Sequence, residues 1–160
     1  MIYVECNPDE ALVLELTGLP KREVRHKHGK SEVFSQLDRV TGSKGMVDED
    51  PGSPPPPSLQ GRNPSQHLED DGLKVYDDSG RTNRVVVICP RLEEWILRAA
   101  AEAKLTVGDY GFPESANAFH RKISTENRAT LDKFAELVGD LQGRRSRRIA
   151  TLKRLLTEKS

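Results

Sequence analysis

Short apolar segments alternate with amphipathic stretches along the first fifty residues. Residues 2–4 are β-branched and aromatic and predict a strand, and residues 23–26 and 44–47 predict two more. Two stretches between these segments carry apolar residues at helical spacing. In the first stretch they are Ala11, Leu12, Leu16 and Leu19, and in the second they are Val33, Phe34, Leu37 and Val40. The order strand, helix, strand, helix, strand favours a parallel sheet with crossover helices.

The second half of the chain continues this pattern and then becomes helical. Residues 85–89 are the most hydrophobic run, and they predict a central strand covered on both faces. Residues 73–76 predict another strand before it. In the helix that follows, we expect Trp95 to be a core residue rather than a cofactor contact. Two amphipathic stripes separated at Gly143 predict a pair of helices near the end of the chain.

Residues 51–72 interrupt the alternation. They include four consecutive prolines, at positions 54–57, together with Gly, Ser, Asn and Gln, a composition that predicts a flexible loop without a core. We therefore divide the chain into an α/β domain, residues 1–110, and a helical C-terminal extension with a basic cluster, residues 111–160. The proline-rich loop is interpreted as a linker, but a protein partner could bind it or the C-terminal helices.

Charge is unevenly distributed along this 160-residue chain, although the formal net charge is zero. Residues 1–80 contain 9 basic and 15 acidic side chains, whereas residues 116–160 contain 11 basic and 5 acidic ones. This distribution suits a metal site beside a surface for a polyanion such as nucleic acid. It equally suits a solvated surface with a basic helical end.

Several classes of protein are disfavoured by what the sequence lacks. No run of about 18 apolar residues is present, so we expect no contact with a membrane. No basic stretch followed by an apolar one opens the chain, as a secretory leader would. Cys6 and Cys89 form neither a disulfide framework nor a CxxC pair. We therefore expect a cytoplasmic protein with reduced, partly buried thiols.

Acidic residues follow the first and third predicted strands. Glu5 comes directly after one strand, and Asp48 and Asp50 come directly after the other. The carboxyl ends of parallel strands meet at one edge of a sheet, where ligands bind in open α/β folds. Asp48 and Asp50 are two residues apart, so in an extended chain they project to the same side. Asp9 can share the Glu5 side of the first helical turn.

Such a cluster has a specific chemical consequence. Neighbouring carboxylates repel one another unless a cation lies between them, and oxygen ligands of this kind suit Mg²⁺ or Mn²⁺. With a phosphate as a further ligand, these ions can activate water and offset leaving-group charge. Taken singly, Glu5 could instead cap a helix, and residues 48–52 could be an ordinary acidic turn.

This arrangement resembles the TOPRIM domain of primases, topoisomerases, recombination proteins and several nucleases. That family has a Glu after its first strand and an Asp-x-Asp after its third, and here Glu5, Asp48 and Asp50 match those positions. The resemblance covers about residues 1–105. It implies a Rossmann-like, mostly parallel sheet with flanking helices, with Glu5 as general acid or base and the two aspartates as metal ligands.

One branch of the family matches at a further position. Nucleases related to the overcoming-lysogenization-defect proteins have an acid four residues after the Glu, and Asp9 lies there. The resemblance therefore implies that Glu5 and Asp9 take part in catalysis and, with Asp48 and Asp50, hold Mg²⁺ or Mn²⁺. Cys6 departs from the Gly that the family often has after the Glu, which affects how closely a substrate can approach.

Basic residues near the predicted edge and in the C-terminal basic cluster are the candidate phosphate contacts. They are Lys30, Arg91, Arg144 and Arg145, with Lys74 as an alternative to Arg91 near the scissile phosphate. Glu93 or Glu94 also follows a strand, and either could be a further ligand or an acid that favours the helix dipole. His26 and His28 lack an evident third ligand, so they suggest a phosphate contact or a solvated loop.

The sequence leaves two functions open. The first is Mg²⁺-dependent phosphoryl transfer on nucleic acid, most simply the hydrolysis of phosphodiesters by a nuclease. The alternative is a catalytically inert module with the TOPRIM fold that binds nucleic acid or a protein partner. A small-molecule phosphohydrolase using the same metal site is a third idea.

Overall fold

The computed structural model describes residues 1–159, which form a mixed six-stranded sheet with six α-helices. The strands are β1 (Ile2–Val4), β2 (Val24–His26), β3 (Lys44–Asp48), β4 (Gln66–Leu68), β5 (Leu73–Asp78) and β6 (Asn83–Ile88). Their spatial order is β2-β1-β3-β6-β5-β4. Strands β2, β1, β3 and β6 run parallel to one another. Strand β5 pairs antiparallel with β6, and β4 pairs antiparallel with β5. The predicted α/β fold with a mostly parallel sheet is confirmed, and the carboxyl ends of β1, β3 and β6 lie side by side.

The helices begin and end where local chemistry favours it. They are α1 (Asn7–Thr17), α2 (Lys30–Leu37), α3 (Leu92–Glu102), α4 (Ala116–Ile123), α5 (Arg128–Gly143) and α6 (Arg147–Thr157). In α1, Pro8 occupies the first turn and Gly18, at φ 66°, closes the C-terminus. The side chains of Ser115, Asn127 and Ser146 accept a backbone N–H at the starts of α4, α5 and α6.

One face of the sheet, called here the helical face, carries most of the core. Val4, Met46 and Ile88 project from the sheet into a cluster completed by side chains of α1, α3, α4, α5 and α6. Trp95 is fully buried there and donates its indole N–H to the carbonyl oxygen of Asp71 at 2.7 Å, so its prediction as a core residue is confirmed. Because the helices after residue 110 share this core, they pack as part of the α/β body.

The opposite face, called here the proline face, is covered in two ways. Helix α2 packs closely over β3 at Gly45, where an added Cβ would lie 2.9 Å from Leu37 Cδ1 and 3.0 Å from Val33 Cγ1. Over β6 and β5, Leu59 from the proline-rich segment packs with the cluster that includes Val87. A segment that the sequence assigns to a linker therefore contributes to the cover of the sheet.

The loop predicted for residues 51–72 is wrong for its last part. Residues 66–68 form β4, and Glu69–Asp71 form a single 3₁₀ turn that leads into β5. Strand β4 pairs antiparallel with β5 at the edge of the sheet, and its side chains are half-buried or exposed. Backbone pairing rather than apolar alternation holds this strand, which is why no periodicity marks it in the sequence.

No helix within residues 1–159 combines the length and the apolar character needed to cross a membrane. The longest, α5, has 16 residues and carries charged side chains along its exposed side.

Candidate carboxylate site

Four acidic side chains meet at the carboxyl edge of the sheet, on the helical face. Glu5 follows β1, and Asp48 is the last residue of β3. Asp9 lies in the first turn of α1, and Glu93 lies in the first turn of α3, just beyond β6. Three adjacent strands and two helix starts therefore supply these carboxylates, which we call the acidic cluster.

Hydrogen bonds from the strand ends fix two of the carboxylates. The backbone N–H of Asp48 donates to Glu5 Oε2 at 3.1 Å. In turn, Asp48 Oδ1 accepts the backbone N–H of Leu92 at 3.1 Å. The residues after β1, at the end of β3 and at the start of α3 are thus joined in a chain, and the juxtaposition of Glu5 and Asp48 expected from the sequence is present.

The other two carboxylates have side-chain partners. Cys6 donates its thiol to Asp9 Oδ2 at 3.1 Å, so this side chain contacts the acidic cluster directly. Glu93 Oε1 lies 2.7 Å from Nδ1 of His120, which projects from α4. The cluster is therefore bordered by a thiol on one side and an imidazole on the other.

Burial and mutual repulsion raise the pKa values of Glu5, Asp9 and Asp48. Asp9 is only 2 % exposed, and burial together with Glu5 raises its pKa to about 7. For Asp48, burial followed by the charges of Asp9 and Glu5 raises the pKa to about 9. Burial also raises the pKa of Glu5, although the Asp48 N–H and Lys30 oppose this effect. The cluster therefore favours bound protons or a bound cation over four free negative charges.

The donor types fit a hard divalent cation, but the arrangement shown is not a closed metal cage. Within residues 1–159, no three Asp, Glu, His or Cys side chains bring their ligand atoms close enough together to hold a metal ion. Glu5, Asp9 and Asp48 each direct an oxygen at an N–H or S–H donor of the protein. Metal binding would require these carboxylates to rotate toward a common point while keeping their places at the sheet edge.

Asp50 lies beside the acidic cluster in a different setting. Its backbone has φ 49°, in the left-handed region, so the chain is not extended past Asp48 and strand alternation does not place the two side chains alike. The Asp50 carboxylate is 3.9 Å from Lys30 Nζ and 3.7 Å from Arg91 Nε. Two of the predicted phosphate contacts therefore flank Asp50, at the rim of the site.

The two other predicted phosphate contacts lie elsewhere. Arg144 donates to the carbonyl oxygen of Ala103 at 3.3 Å, just past the C-terminal end of α3, whereas Glu93 lies at its start. Ten residues of helix separate these positions, which is about 15 Å. Arg145 is exposed, with φ 60°. The structure therefore places Lys30 and Arg91 beside the acidic cluster and Arg144 at the far end of α3.

The neighbouring arginines of that basic cluster are engaged in the fold. Arg147 pairs with buried Asp71 at 3.1 Å, and buried Arg148 pairs with Glu102 at 2.8 Å. These contacts attach the start of α6 to the β4–β5 connection and to α3. Part of the basic cluster therefore stabilises the fold instead of forming a free cationic surface.

Sequence reasoning anticipated one further acid and missed one base. Glu93 could be named as an acid after a strand, but nothing in the sequence separates it from Glu94; in the structure Glu93 is 6 % exposed. His120 lies 27 residues further along, in a helix without a recognisable motif, and only the packing of α4 against α3 brings it to Glu93. No motif or spacing along the sequence marks it as a partner of Glu93.

Comparisons of the chain with protein-family models, with curated proteins and with solved structures find no match.

Proposed function

We propose that the chain is a Mg²⁺-dependent phosphoryl-transfer protein that acts on nucleic acid, with nuclease-like hydrolysis of phosphodiesters as its reaction. The observation that supports this most directly is the meeting of Glu5, Asp9, Asp48 and Glu93 at the carboxyl ends of three adjacent strands. The resemblance of Glu5 and the Asp48–Asp50 pair to the TOPRIM motifs points to the same chemistry.

The residues of the site divide into two roles. Glu5, Asp9 and Asp48 would hold the ion, with Glu93 as a fourth candidate and Asp50 at the rim. Mg²⁺ bound there would neutralise phosphate charge and polarise a water molecule. Burial raises the pKa of Glu5 above its ordinary value, which suits a group that takes a proton from water and returns it to the leaving oxygen.

Two cations can orient a substrate phosphate beside these acids. Lys30 and Arg91 flank Asp50 at 3.9 and 3.7 Å, and Lys30 also acts on the charge of Glu5. A phosphate that enters from the rim would lose hydrating water and form charge-assisted hydrogen bonds with these two side chains instead. Each side chain would thereby reduce the repulsion between the substrate and the acidic cluster.

The experiment compares cleavage of single- and double-stranded DNA and RNA by the wild type and by Asp48→Asn, with Mg²⁺, with Mn²⁺ and with EDTA. Asp48→Asn keeps an oxygen for the Leu92 N–H but removes the charge. Glu114→Gln, at an exposed position between Gly111 and α4, is the matched control. We expect metal-dependent cleavage in the wild type and the control, and a loss of at least about 100-fold in Asp48→Asn.

The proposal fails if purified wild type cleaves no nucleic acid under any of these metal conditions, or if Asp48→Asn cleaves as fast as Glu114→Gln. Activity that survives in EDTA would equally exclude the acidic cluster as the catalytic site. Circular dichroism of each variant confirms that a loss of cleavage is not a loss of folding.

A non-catalytic binding module is the second candidate, and one observation favours it. The raised pKa values of Asp9 and Asp48 allow protons alone to relieve the repulsion in the cluster near neutral pH. This candidate predicts salt-sensitive nucleic-acid binding that is the same with Mg²⁺ and with EDTA. It also predicts weaker binding in the double variant Arg144→Gln, Arg145→Gln, whose side chains are exposed.

A further inference from the structure

A second recess lies on the proline face, on the other side of the β3 end from the acidic cluster. Its volume is about 420 Å³, and it lies between the sheet and the proline-rich segment. The lining residues that concern us are Lys30, Glu49, Leu59, Arg62, Lys74 and Tyr76. We call it the proline-side cavity, and its size falls within the range of small-molecule sites.

Three cations border the proline-side cavity. Lys30 Nζ donates to the carbonyl oxygen of Glu49 at 3.1 Å, and Lys74 Nζ donates to Glu49 Oε2 at 2.6 Å. Arg62 donates to the carbonyl oxygen of Asp77 at 3.2 Å. Asp48 and Glu49 are the acids that also line the recess, so the cations outnumber them. A ligand that brings its own negative charge is therefore favoured.

The rest of the wall suits a flat apolar group. Tyr76 projects from β5, and the Arg62 guanidinium lies 6.0 Å from the centre of its ring. Leu59 and Val87 close the sides of the same cluster. An aromatic ring and a guanidinium at this spacing are the groups on which nucleobases stack. The cavity thus offers a stacking surface next to phosphate-binding cations.

The position of the cavity relates it to the acidic cluster. Asp48 and Glu49 are consecutive residues at the end of β3, and one points to each face of the sheet. Lys30 borders the cavity and also acts on the charge of Glu5 in the cluster. A chain that leaves the cavity beside Lys30 would have to pass round the carboxyl ends of the strands to reach the carboxylates.

We propose that the proline-side cavity binds one nucleotide unit of a single-stranded nucleic acid, with its base on Tyr76 and its phosphate at Lys30 and Lys74. The proposal rests on the proposed function, whose substrate it narrows to single strands. The Lys74–Glu49 pair opens on binding, and the phosphate takes the place of the Glu49 carboxylate on Lys74. A free mononucleotide has the same chemistry, and an acidic peptide is the competing macromolecule.

Binding is measured in EDTA, which separates it from any metal-dependent reaction. The probe is a 5′-phosphorylated hexathymidylate with a 3′ fluorophore, followed by fluorescence anisotropy, with thymidine monophosphate and hexaglutamate as competitors. Tyr76→Ala weakens binding about tenfold, whereas Tyr76→Phe keeps the ring and most of the affinity. Arg128→Gln, in an exposed pair on α5, is the matched control for loss of a cation.

Glu49→Gln gives the most discriminating result. This substitution frees Lys74 and removes a charge that repels phosphate, so affinity for the probe rises severalfold. A purely structural ion pair would instead give unchanged or weaker binding. Should Tyr76→Ala fail to fold, Glu49→Gln and the double variant Glu49→Gln, Lys74→Gln still decide the question, because the double variant leaves no unpaired charge and loses the gain.

Two results overturn the proposal: no binding of the hexanucleotide or of thymidine monophosphate by the wild type, or displacement of the probe by hexaglutamate as readily as by the mononucleotide. Binding of the mononucleotide alone supports the cavity's chemistry and assigns free nucleotides as its source. Binding in EDTA without cleavage in Mg²⁺ would refute the proposed nuclease function and support the proposal that the cavity binds a nucleotide. If Tyr76→Ala cleaves single strands as fast as the wild type, the nucleotide-binding role of the cavity is refuted and the proposed nuclease function is not.

Discussion

Replacing Asp48 by Asn should make the metal-free protein more stable, and increasingly so as the pH rises. In the folded protein, burial and the charges of Asp9 and Glu5 keep a proton on Asp48 up to about pH 9, whereas the ordinary pKa is 3.8. The folded state therefore binds more protons than the unfolded chain between these values. Its free energy of unfolding falls as the pH rises through this range, and Asn removes the effect.

Asp48 dominates the upper part of the window from pH 7 to pH 9. Asp9, with a pKa of about 7, has released about half of its proton at pH 7 and nearly all of it by pH 8. The proton that Asp48 holds in the folded state lowers the free energy of unfolding by at most about 1.4 kcal/mol per pH unit. Over the two units the loss is roughly 2 kcal/mol. The difference in free energy of unfolding between Asp48→Asn and the wild type should grow by that amount. Shifts of groups on which Asp48 does not act, such as the phenol of Tyr110, cancel in this difference.

The measurement is urea denaturation in EDTA at pH 7, 8 and 9, followed by circular dichroism, for the wild type, Asp48→Asn and Glu114→Gln. A repeat with Mg²⁺ at about ten times its dissociation constant should stabilise the wild type by about 1.4 kcal/mol and leave Asp48→Asn unchanged. Equal pH slopes in the wild type and Asp48→Asn would show that Asp48 is not held protonated by its neighbours, and the electrostatic reasoning would be wrong.

Three further substitutions test the packing that supports the site, each by urea denaturation. Gly72→Ala places a Cβ 2.6 Å from Arg148 Nη1 and 2.9 Å from Trp95 Cδ1 at φ 64°, and should cost about 2 kcal/mol or more; unchanged stability would contradict the tight fit. Arg84→Met removes a buried cation from two carboxylates that are 35 % and 34 % exposed and should cost about 1–2 kcal/mol, against less than 1 for Arg81→Met at the surface. Trp95→Phe loses a buried 2.7 Å hydrogen bond and should cost about 1–3 kcal/mol; a smaller loss would assign Trp95 to packing alone.

The alternation of strands and helices in the first half, and its parallel sheet, could be predicted from the sequence because two signals agree. Apolar runs at residues 2–4 and 44–47 alternate with helical stripes, and a right-handed crossover between parallel strands leaves few arrangements. The edge strand β4 could not be predicted, since Gln66 and His67 carry no apolar alternation and only backbone pairing holds them. Local pattern therefore predicts the buried strands and the edge strand β2, but it does not predict the edge strand β4.

The site shows a similar division. Glu5 and Asp48 were predictable because both belong to strand ends, where topology alone determines which residues meet. The position of Asp50 was not, because alternation assumes extended backbone and Asp50 adopts φ 49°. The contact of His120 with Glu93 depends on how α4 packs against α3, and no spacing along the chain encodes that angle.

The contacts of Asp71 determine where this chain can be shortened. Its carboxylate pairs with Arg147 at 3.1 Å and accepts the hydroxyl of Thr151 at 3.0 Å. Its carbonyl oxygen accepts the indole N–H of Trp95. Removing the chain after the arginine-rich turn, residues 144–148, would therefore expose apolar side chains of the core and would not leave a smaller stable domain. Brief trypsin digestion should leave that turn intact in the native protein, despite its many target bonds, and should degrade the chain completely once it is cut.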